Sequence, residues 1–268
     1  MVGSELKNLS LVELYNCKPV KNLTQFAGTI QELSVSDLVQ KYKQLMKNAP
    51  RRHERGMKYF VDSHDSPFVG GKSESNRKEE HLAGALFNEC RKGKAFFLPG
   101  NRELKIIDYQ FPLKARQNDQ DIGKIDLFGV IDGETPCVME LKVGQDSGNM
   151  SDSPLRALLE GLAYCALVEA NRKEIWKEAQ EKYGFEFKCL RPQLMIMAPV
   201  DYWSYFFNKP SAGDWFAPFL QLIEEIGKTP LPFISIMSIE NASFSYATGD
   251  RPACLTQKPV FLPVTHEL

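Results

Sequence analysis

The chain has 268 residues, of which 43% are hydrophobic and 25% are charged, a composition typical of a globular protein with a sizeable core. Its 33 lysines and arginines nearly balance its 34 aspartates and glutamates, so a nucleic-acid partner would have to bind a local patch of charge. The six cysteines include no CxxC pair, and the sequence shows neither a secretory signal nor an apolar run of membrane-spanning length. These features argue against a zinc site, disulfides and membrane contact, and we expect a cytoplasmic protein.

Residues 1–70 are predicted to form an extension of short helices and loops, followed by one domain over residues 71–268. The segment 10–15 (SLVELY) is the first of these short helices. Because the extension lies outside that domain, we expect it to serve target recognition, homodimer formation or the binding of a protein partner.

The segment 34–48 (SVSDLVQKYKQLMKN) predicts a second, longer helix. Ser34 or Ser36 is a suitable N-cap, because a serine hydroxyl can accept a hydrogen bond from a free backbone N–H of the first turn. The apolar stripe of this helix consists of Leu38, Tyr42 and Leu45.

The same region carries a concentration of positive charge. Between positions 41 and 58 there are seven lysines and arginines and one acid, Glu54. The segment is either a solvated helix face and loop or a patch that contacts phosphate, since only clustered charge attracts a polyanion. The residues of such a patch would be Lys41, Lys43, Lys47, Arg51, Arg52 and Arg55.

Residues 66–75 (SPFVGGKSES) contain the Gly-Lys-Ser of a phosphate-binding loop without the rest of that motif. The glycine required five places before Gly71 is Ser66, and no apolar strand precedes it. We interpret this segment as a flexible loop.

Residues 75–91 (SNRKEEHLAGALFNECR) predict a helix with an acid aligned with its buried face. Glu79 lies on the apolar stripe, and Glu80 lies one step around the helix. Either could reach a site at the end of the sheet, or the acid could simply be a first-turn residue that favours the helix dipole. The stripe consists of Leu82, Ala83, Leu86 and Cys90.

The rest of the chain alternates strands and helices, in the order three strands, helix, strand, helix and final strands. Asp132-Gly133 is a hairpin signal, and Ser153-Pro154 is a helix-start signal. This order predicts an α/β protein with a central mixed sheet flanked by helices. The predicted strands span 103–115, 122–132, 136–143, 193–199 and one or two segments within 232–248, and the predicted helices span 154–183 and 212–227.

Charges interrupt two of the apolar strands. Glu140 and Lys142 project to one face of their strand, since alternate side chains share a face, and Asp126 interrupts the preceding strand between Ile125 and Leu127. A hairpin between these strands could bring both carboxylates to one end of the sheet. Two carboxylates and an ammonium in apolar surroundings are costly unless paired, and a magnesium-like cation with carboxylate, water and phosphate ligands would remove that cost.

This arrangement resembles the PD-(D/E)xK nuclease superfamily, which has a restriction-endonuclease-like αβββαβ core. The resemblance covers residues 75–199 and rests on the helix acid, on Asp126 and on Glu140-Leu141-Lys142. Ile125 stands where the motif's name has proline, as in divergent members. The resemblance implies a nuclease that uses Mg²⁺ or Mn²⁺ to hydrolyse phosphodiester bonds, of DNA in the first place and of RNA in the second.

The resemblance also implies a role for each matched residue. Asp126 and Glu140 would be metal ligands, and the backbone carbonyl of Leu141 would be a third. Lys142 would be the catalytic lysine that orients the attacking water or helps to deprotonate it. Glu79, with Glu80 as the alternative, would be the helix acid in the outer shell of the metal.

The helix after the strands carries Arg156, Glu160 and Tyr164 at four-residue spacing. Nucleases of this superfamily often present a polar residue to the site from the corresponding helix, and Arg156 would then contact nucleic acid. The alternative is an ordinary ion pair one helical turn apart with a packed tyrosine.

Histidines and an aromatic run offer weaker candidates. The four histidines (His53, His64, His81 and His266) have no ligand spacing and are predicted to be surface residues. The aromatic residues between 202 and 207 could stack on bases, although packing in the core is the favoured use.

Three functions therefore remain open at the level of sequence: a metal-dependent nuclease, a non-catalytic nucleic-acid-binding or assembly protein that keeps the fold, and an enzyme acting on a small phosphorylated or carboxylated metabolite. The intact Asp126, Glu140 and Lys142 favour the first.

Overall fold

A computed structural model describes residues 2–69, 77–119, 121–144, 150 and 152–265. Several sequence predictions fall outside this description in whole or in part. They are the flexible loop at 66–75, the helix start at Ser75, much of the loop that precedes Ser153, and the surface position of His266.

Five short helices form the N-terminal extension. Ser34, rather than Ser36, is the N-cap of the longest, because its hydroxyl accepts the N–H of Asp37 at 3.4 Å. The predicted stripe of that helix is confirmed, with Leu38 and Tyr42 buried and Leu45 half-buried. The helices are α1 (Val2–Asn8), α2 (Leu11–Asn16), α3 (Lys18–Lys21), α4 (Phe26–Glu32) and α5 (Val35–Lys47).

The described residues form a mixed seven-stranded sheet, in the order β1-β2-β3-β4-β5-β6-β9, and a separate two-stranded sheet, β7-β8. The pairs β1–β2, β2–β3 and β3–β4 are antiparallel. The pairs β4–β5 and β5–β6 are parallel, and β6–β9 is antiparallel. The predicted α/β architecture with a central mixed sheet is confirmed. The strands are β1 (Phe96–Leu98), β2 (Arg102–Pro112), β3 (Lys124–Ile131), β4 (Thr135–Leu141), β5 (Gln193–Pro199), β6 (Ile234–Glu240), β7 (Phe244–Ser245), β8 (Cys254–Leu255) and β9 (Val260–Pro263).

The remaining helices lie between and beside these strands: α6 (Lys78–Arg91), α7 (Pro154–Ala170), α8 (Arg172–Tyr183), α9 (Val200–Asn208) and α10 (Phe216–Gly227). The prediction of one helix over 154–183 is wrong, because the chain bends at Asn171 (φ −108°, ψ 12°). The Asn171 amide donates to the carbonyls of Leu167 at 2.8 Å and Pro50 at 3.0 Å, and the second of these contacts is made by the N-terminal segment. Strand β1 and helix α9 were not predicted.

The sheet is covered on both faces. Apolar residues of α7 and of the N-terminal helices pack in one hydrophobic core with Phe128, Val138 and Ile196. On the opposite face, α6 packs in a second core with Met139 and Leu141. The N-terminal segment therefore shares a core with the rest of the chain, while the division into two units near residue 70 stays a prediction.

One of the predicted surface histidines is buried and a second is half-buried. His81 is 2% exposed, and its ring accepts the N–H of Ala247 at 3.1 Å. The side chain of His64 is 13% exposed and lies 2.5 Å from the carboxylate of the buried Asp108. The surface prediction is wrong for this pair because each ring has a polar partner from a distant segment, whereas His53 is exposed as predicted.

In the described part of the chain, no helix combines the length and the apolar character that crossing a membrane requires.

Candidate functional site

Two central strands hold the predicted carboxylates. Strand β4 is the fourth of seven strands and is paired on both sides, so Glu140 lies on a central strand and Lys142 directly follows it. Asp126 lies on β3, and its Oδ2 accepts the N–H of Leu141 at 3.0 Å. This hydrogen bond ties the Asp126 carboxylate to the backbone between Glu140 and Lys142.

The Lys142 ammonium lies among four carboxylates. Its Nζ donates to Oε1 of Glu140 at 2.6 Å. It also lies 3.7 Å from Oε2 of Glu160, 3.9 Å from Oε1 of Glu79 and 4.0 Å from Oδ2 of Asp152. Only 3% of the Lys142 side chain is exposed. The structure thus brings together side chains from β4, α6, α7 and the segment before α7.

The first turn of α6 distinguishes between the two helix acids. Glu79 lies in ionic contact with Lys142, whereas Glu80 pairs with Arg77 at 2.7 Å, outside that contact. Glu79 keeps 28% of its side chain exposed, so it lies at the rim of the cluster. Of the two alternatives, Glu79 is the acid that contacts the candidate catalytic lysine.

Helix α7 contributes a second line of polar groups. Ser153 caps the helix by accepting the N–H of Arg156 at 3.1 Å. Arg156 lies 3.2 Å from Oε2 of Glu160 and also pairs with Asp152, and the Tyr164 hydroxyl donates to Oε1 of Glu160 at 2.9 Å. The ion pair and the packed tyrosine are both present, and Glu160 also reaches the Lys142 ammonium.

The cluster holds more negative than positive charge. Five carboxyl groups surround two cationic side chains, so full ionisation would leave three uncompensated negative charges in a largely buried site. The carboxyl groups belong to Glu79, Asp126, Glu140, Asp152 and Glu160, and the cations are Lys142 and Arg156.

Burial and the neighbouring charges shift the pKa values of the clustered groups in opposite directions. Burial raises the pKa of Asp126 to about 6 and the pKa of Glu140 well above its usual value, against the attraction of Lys142. Burial also opposes ionisation of Glu160, but Lys142 and Arg156 together lower the pKa of that carboxyl. Burial would lower the pKa of Lys142, yet its carboxylate neighbours, first of all Glu140, raise it well above its usual value.

One carboxylate oxygen in this cluster calls for a counter-charge. Oε2 of Glu140 is buried and receives no hydrogen bond from a donor in the described residues. The Lys142 ammonium lies 2.6 Å from the other oxygen of this carboxyl and 3.7 Å from Oε2 of Glu160. A proton on Glu140 or an added cation would compensate the remaining charge at this oxygen.

The donor chemistry fits a hard cation, because Mg²⁺ and Mn²⁺ prefer carboxylate and carbonyl oxygens. Within the described ranges, however, no three His, Cys, Asp or Glu side chains are grouped so that they could hold a metal ion. Instead, the Lys142 ammonium lies between the carboxylates of Glu79, Glu140 and Glu160. Of the two Glu140 oxygens, Oε1 is bound to Lys142, and Oε2 is the one without a partner among the described residues.

Three residues at the site were not predicted from the sequence. Asp152 directly precedes the Ser153 cap and lies one helical turn before Arg156, a spacing that could have indicated it. Gln110 donates to Oδ1 of Asp126 at 3.4 Å from the neighbouring strand, and Tyr15 of α2 lies under the Arg156 guanidinium, 5.9 Å from ring centre to Cζ. No local pattern indicates either of these.

The predicted basic patch is divided among different roles. Lys41 donates to the carbonyls of Lys7, at 2.8 Å, and Leu9, so its charge helps to hold α1 and α5 together. Arg51 donates to the carbonyl of Ala170 and lies 3.3 Å from the side-chain oxygen of Asn171. Within the predicted set, the exposed cations are Lys43, Lys47 and Arg55.

Arg52 is buried, and its guanidinium donates to the carbonyls of Lys58 at 2.7 Å and Lys114 at 2.5 Å. These contacts join the N-terminal segment to the connection between β2 and β3. Together with Lys41 and Arg51, Arg52 therefore acts in the described structure as a donor to backbone carbonyls.

No known protein family, curated protein or solved structure matches this chain. The family resemblance accordingly stays a prediction from the sequence motif.

Proposed function

We propose that the protein is a metal-dependent nuclease that hydrolyses phosphodiester bonds, with DNA as the first substrate and RNA as the second. One observation carries the proposal: Asp126 and Glu140, on adjacent central strands, lie beside a buried Lys142 ammonium that also contacts Glu79 of the preceding helix. The succession is α6, β1, β2, β3, β4, α7, α8, β5, with β4 and β5 parallel. With the three-residue strand β1 and helix α8 treated as additions, this order supports the restriction-endonuclease-like core that the sequence resemblance implies.

In this proposal, Asp126, Glu140 and the carbonyl of Leu141 would hold Mg²⁺ or Mn²⁺, with Glu79 beside them. When bound, the cation would acidify a water molecule and neutralise charge that develops on the phosphate. Lys142 would donate a hydrogen bond to the attacking water or to a phosphate oxygen. Glu160 and Arg156 act as positioning residues, because they hold the surroundings of Lys142 through the contacts of α7.

The test is a cleavage assay on linear DNA, supercoiled DNA and RNA with Mg²⁺, Mn²⁺ or EDTA. We expect cleavage by the wild type in either metal, and a loss of about 100-fold or more in Asp126→Asn and Lys142→Gln. Lys177→Gln is the matched control, because Lys177 is 72% exposed on α8 and pairs only with Glu181 among the described residues. Full cleavage by Lys142→Gln, purified alongside the control, would refute the nuclease assignment.

A second candidate is a nucleic-acid-binding or assembly protein that keeps the fold without catalysis. One observation favours it: the Lys142 ammonium already compensates the Glu140 carboxylate, so the site can be occupied by its own cation. This candidate predicts salt-dependent DNA binding that EDTA does not change, and no cleavage of any substrate.

A further inference from the structure

A cleft opens beside the connection between β2 and β3. Its volume is about 540 Å³. The N-terminal segment forms one wall, and the end of β2 and the start of β3 form the other. We call it the β2–β3 cleft, and the lining residues that matter are Arg52, Met57, Pro112, Lys114, Arg116 and Lys124.

The β2–β3 cleft is positively charged. Four of its described lining residues are lysine or arginine, and none is acidic. Arg116 and Lys124 are exposed and Lys114 is half-buried. None of these three forms an ion pair with another described residue, so their ammonium and guanidinium groups are available to an anion. The fourth, Arg52, holds the cleft wall through carbonyls of both segments.

The nearest acid belongs to the framework of the cleft. Asp119 accepts the N–H groups of Ala115 and Arg116, each at 2.8 Å, and thereby shapes the loop that carries Arg116. Asp121 follows in the same connection and is exposed. Even when these two acids are counted, the cleft has more cations than acids. The candidate site, by contrast, has more carboxylates than cations.

The cleft adjoins the candidate site through β3. Lys124 begins that strand two residues before Asp126, so the two side chains project to the same face, about 7 Å apart along the strand. Gly123 lies against the hydroxyl of Tyr164, which donates to Glu160. The cleft and the carboxylate cluster are therefore neighbours along β3.

We propose that the β2–β3 cleft binds a single strand of nucleic acid next to the phosphodiester bond that is cut, an inference that rests on the proposed nuclease function. Lys114, Arg116 and Lys124 contact its phosphates, and the apolar surface of Met57 and Pro112 faces its bases. The volume is that of a pocket for a small ligand, so we assign one strand rather than a duplex to it. Clustered cations attract the phosphate chain of such a strand.

The test compares two charge-matched triple variants of the full chain. The cleft variant is Lys114→Gln, Arg116→Gln and Lys124→Gln; the control variant is Lys173→Gln, Lys177→Gln and Lys188→Gln, which removes three exposed cations of α8 and of the segment that follows it. Binding of short labelled single-stranded DNA, single-stranded RNA and duplex DNA is measured in EDTA by fluorescence anisotropy over a range of salt. The melting temperature of each variant checks that it is folded.

We expect the cleft variant to lose about tenfold or more in affinity for single strands, and its salt slope to fall by about 2, because three phosphate contacts disappear. The control variant should bind within about twofold of the wild type. Whichever of DNA and RNA the wild type binds more tightly identifies the sugar of the strand.

Equal binding by the cleft variant and the wild type would overturn the inference, as would an equal loss in both triple variants. A wild type that prefers duplex DNA would overturn the single-strand assignment. These failures are distinct from failure of the nuclease proposal, because cleavage that depends on Asp126 and Lys142 could persist while the cleft is irrelevant. Conversely, binding through the cleft without cleavage in any metal would remove the nuclease and leave the cleft.

Discussion

The Nζ of Lys142 lies 2.6 Å from Oε1 of Glu140, and each of the two side chains is only 3% exposed. Removing two such charges from water costs several kcal/mol per ion, and their mutual attraction seldom exceeds that cost by much. An apolar pair of similar volume would serve a central strand at least as well. The pair is therefore better explained by what it does chemically than by what it adds to stability.

This argument predicts opposite outcomes for single and double replacements. Lys142→Met should lower the free energy of unfolding by about 3–5 kcal/mol, because it leaves the Glu140 carboxyl buried without its cation. The double variant Glu140→Leu, Lys142→Met should recover part of that loss, since Glu140 no longer remains unpaired, Glu160 and Asp152 keep Arg156 as a partner, and Glu79 is partly exposed. Urea unfolding of the wild type, both single variants and the double variant forms the required cycle.

The same prediction has a second part, which is that the double variant regains stability without regaining activity. The double variant should remain inactive in the cleavage assay even where its stability matches that of the wild type. If the double variant were as unstable as Lys142→Met, the pair would be a structural requirement of the fold and our interpretation of it would be wrong.

The raised pKa of Asp126 predicts that the metal-free protein becomes less stable as pH rises. Burial raises this pKa from 3.8 to about 6, so the folded protein favours the protonated carboxyl. The stabilising contribution is fully present below about pH 4 and is lost as pH rises through about 6. We expect the free energy of unfolding in EDTA to fall across this window, and the fall to be smaller in Asp126→Asn.

Glu79 extends this effect in the same direction, because burial raises its pKa to about 8. Its side chain is 28% exposed, so we assign the larger share to Asp126. Added Mg²⁺ or Mn²⁺ should raise the melting temperature most at a pH above about 6, where the cation no longer competes with a proton for Asp126. Glu181→Gln on the exposed face of α8 is the control. An identical pH profile for Asp126→Asn and the wild type would contradict the assignment.

The core of the candidate site could be predicted from local pattern, whereas its surroundings could not. Strand alternation determines which face carries Glu140 and Lys142, so a count along the chain was sufficient. Asp152 reaches Lys142 only because the start of α7 lies against the end of β4. Gln110 reaches Asp126 only through the register of β2 on β3. Contacts between distant segments leave no periodic signal in the sequence.

Gln110 offers a test of how the site is held in place. It has a φ of 45°, in the left-handed region that a non-glycine residue seldom adopts. Gln110→Gly and Gln110→Ala both remove the hydrogen bond to Asp126, but only glycine accepts this φ without strain. Gln110→Gly should therefore be more stable than Gln110→Ala by about 1 kcal/mol.

Both Gln110 variants should nevertheless lose affinity for Mg²⁺ by the same factor, about tenfold, because both lose the donor to the Asp126 carboxylate. Calorimetric titration measures this affinity without reference to cleavage. If instead Gln110→Gly bound Mg²⁺ nearly as tightly as the wild type and Gln110→Ala did not, the backbone conformation and not the side-chain amide would determine the affinity.

Ser153 links the N-terminal segment to the helix that carries Glu160. Its hydroxyl accepts the N–H of Arg156 at 3.1 Å and donates to the carbonyl of Val20 at 2.6 Å. Ser153→Ala should therefore cost about 2 kcal/mol, about 1 for the lost cap and the remainder for the buried carbonyl. Ser34→Ala, which removes the cap of α5, should cost only about 1 kcal/mol. Equal losses in urea unfolding would mean that the contact with Val20 contributes nothing.

The fold shows the same division between local and distant determinants. The caps at Ser34 and Ser153 and the apolar stripes were readable because they involve neighbours in the chain. The break at Asn171 could not be read from the sequence, since the side-chain amide that ends α7 also donates a hydrogen bond to the carbonyl of Pro50, more than a hundred residues away. Helix α9 was missed because its sequence, VDYWSYFFN, is rich in residues that favour strands, and burial of Trp203 and Phe206 outweighs that preference.

The contact between Gly123 and Tyr164 has a consequence for the history of the chain. A side chain at position 123 would overlap the Tyr164 hydroxyl, and that hydroxyl is bound to Glu160. Among related sequences, glycine at position 123 should therefore occur together with tyrosine at position 164. A larger residue at 123 should occur only where position 164 has a smaller residue. Paired substitution at these two positions, forty-one residues apart, would mark lineages in which the neighbourhood of the carboxylate cluster has been rebuilt.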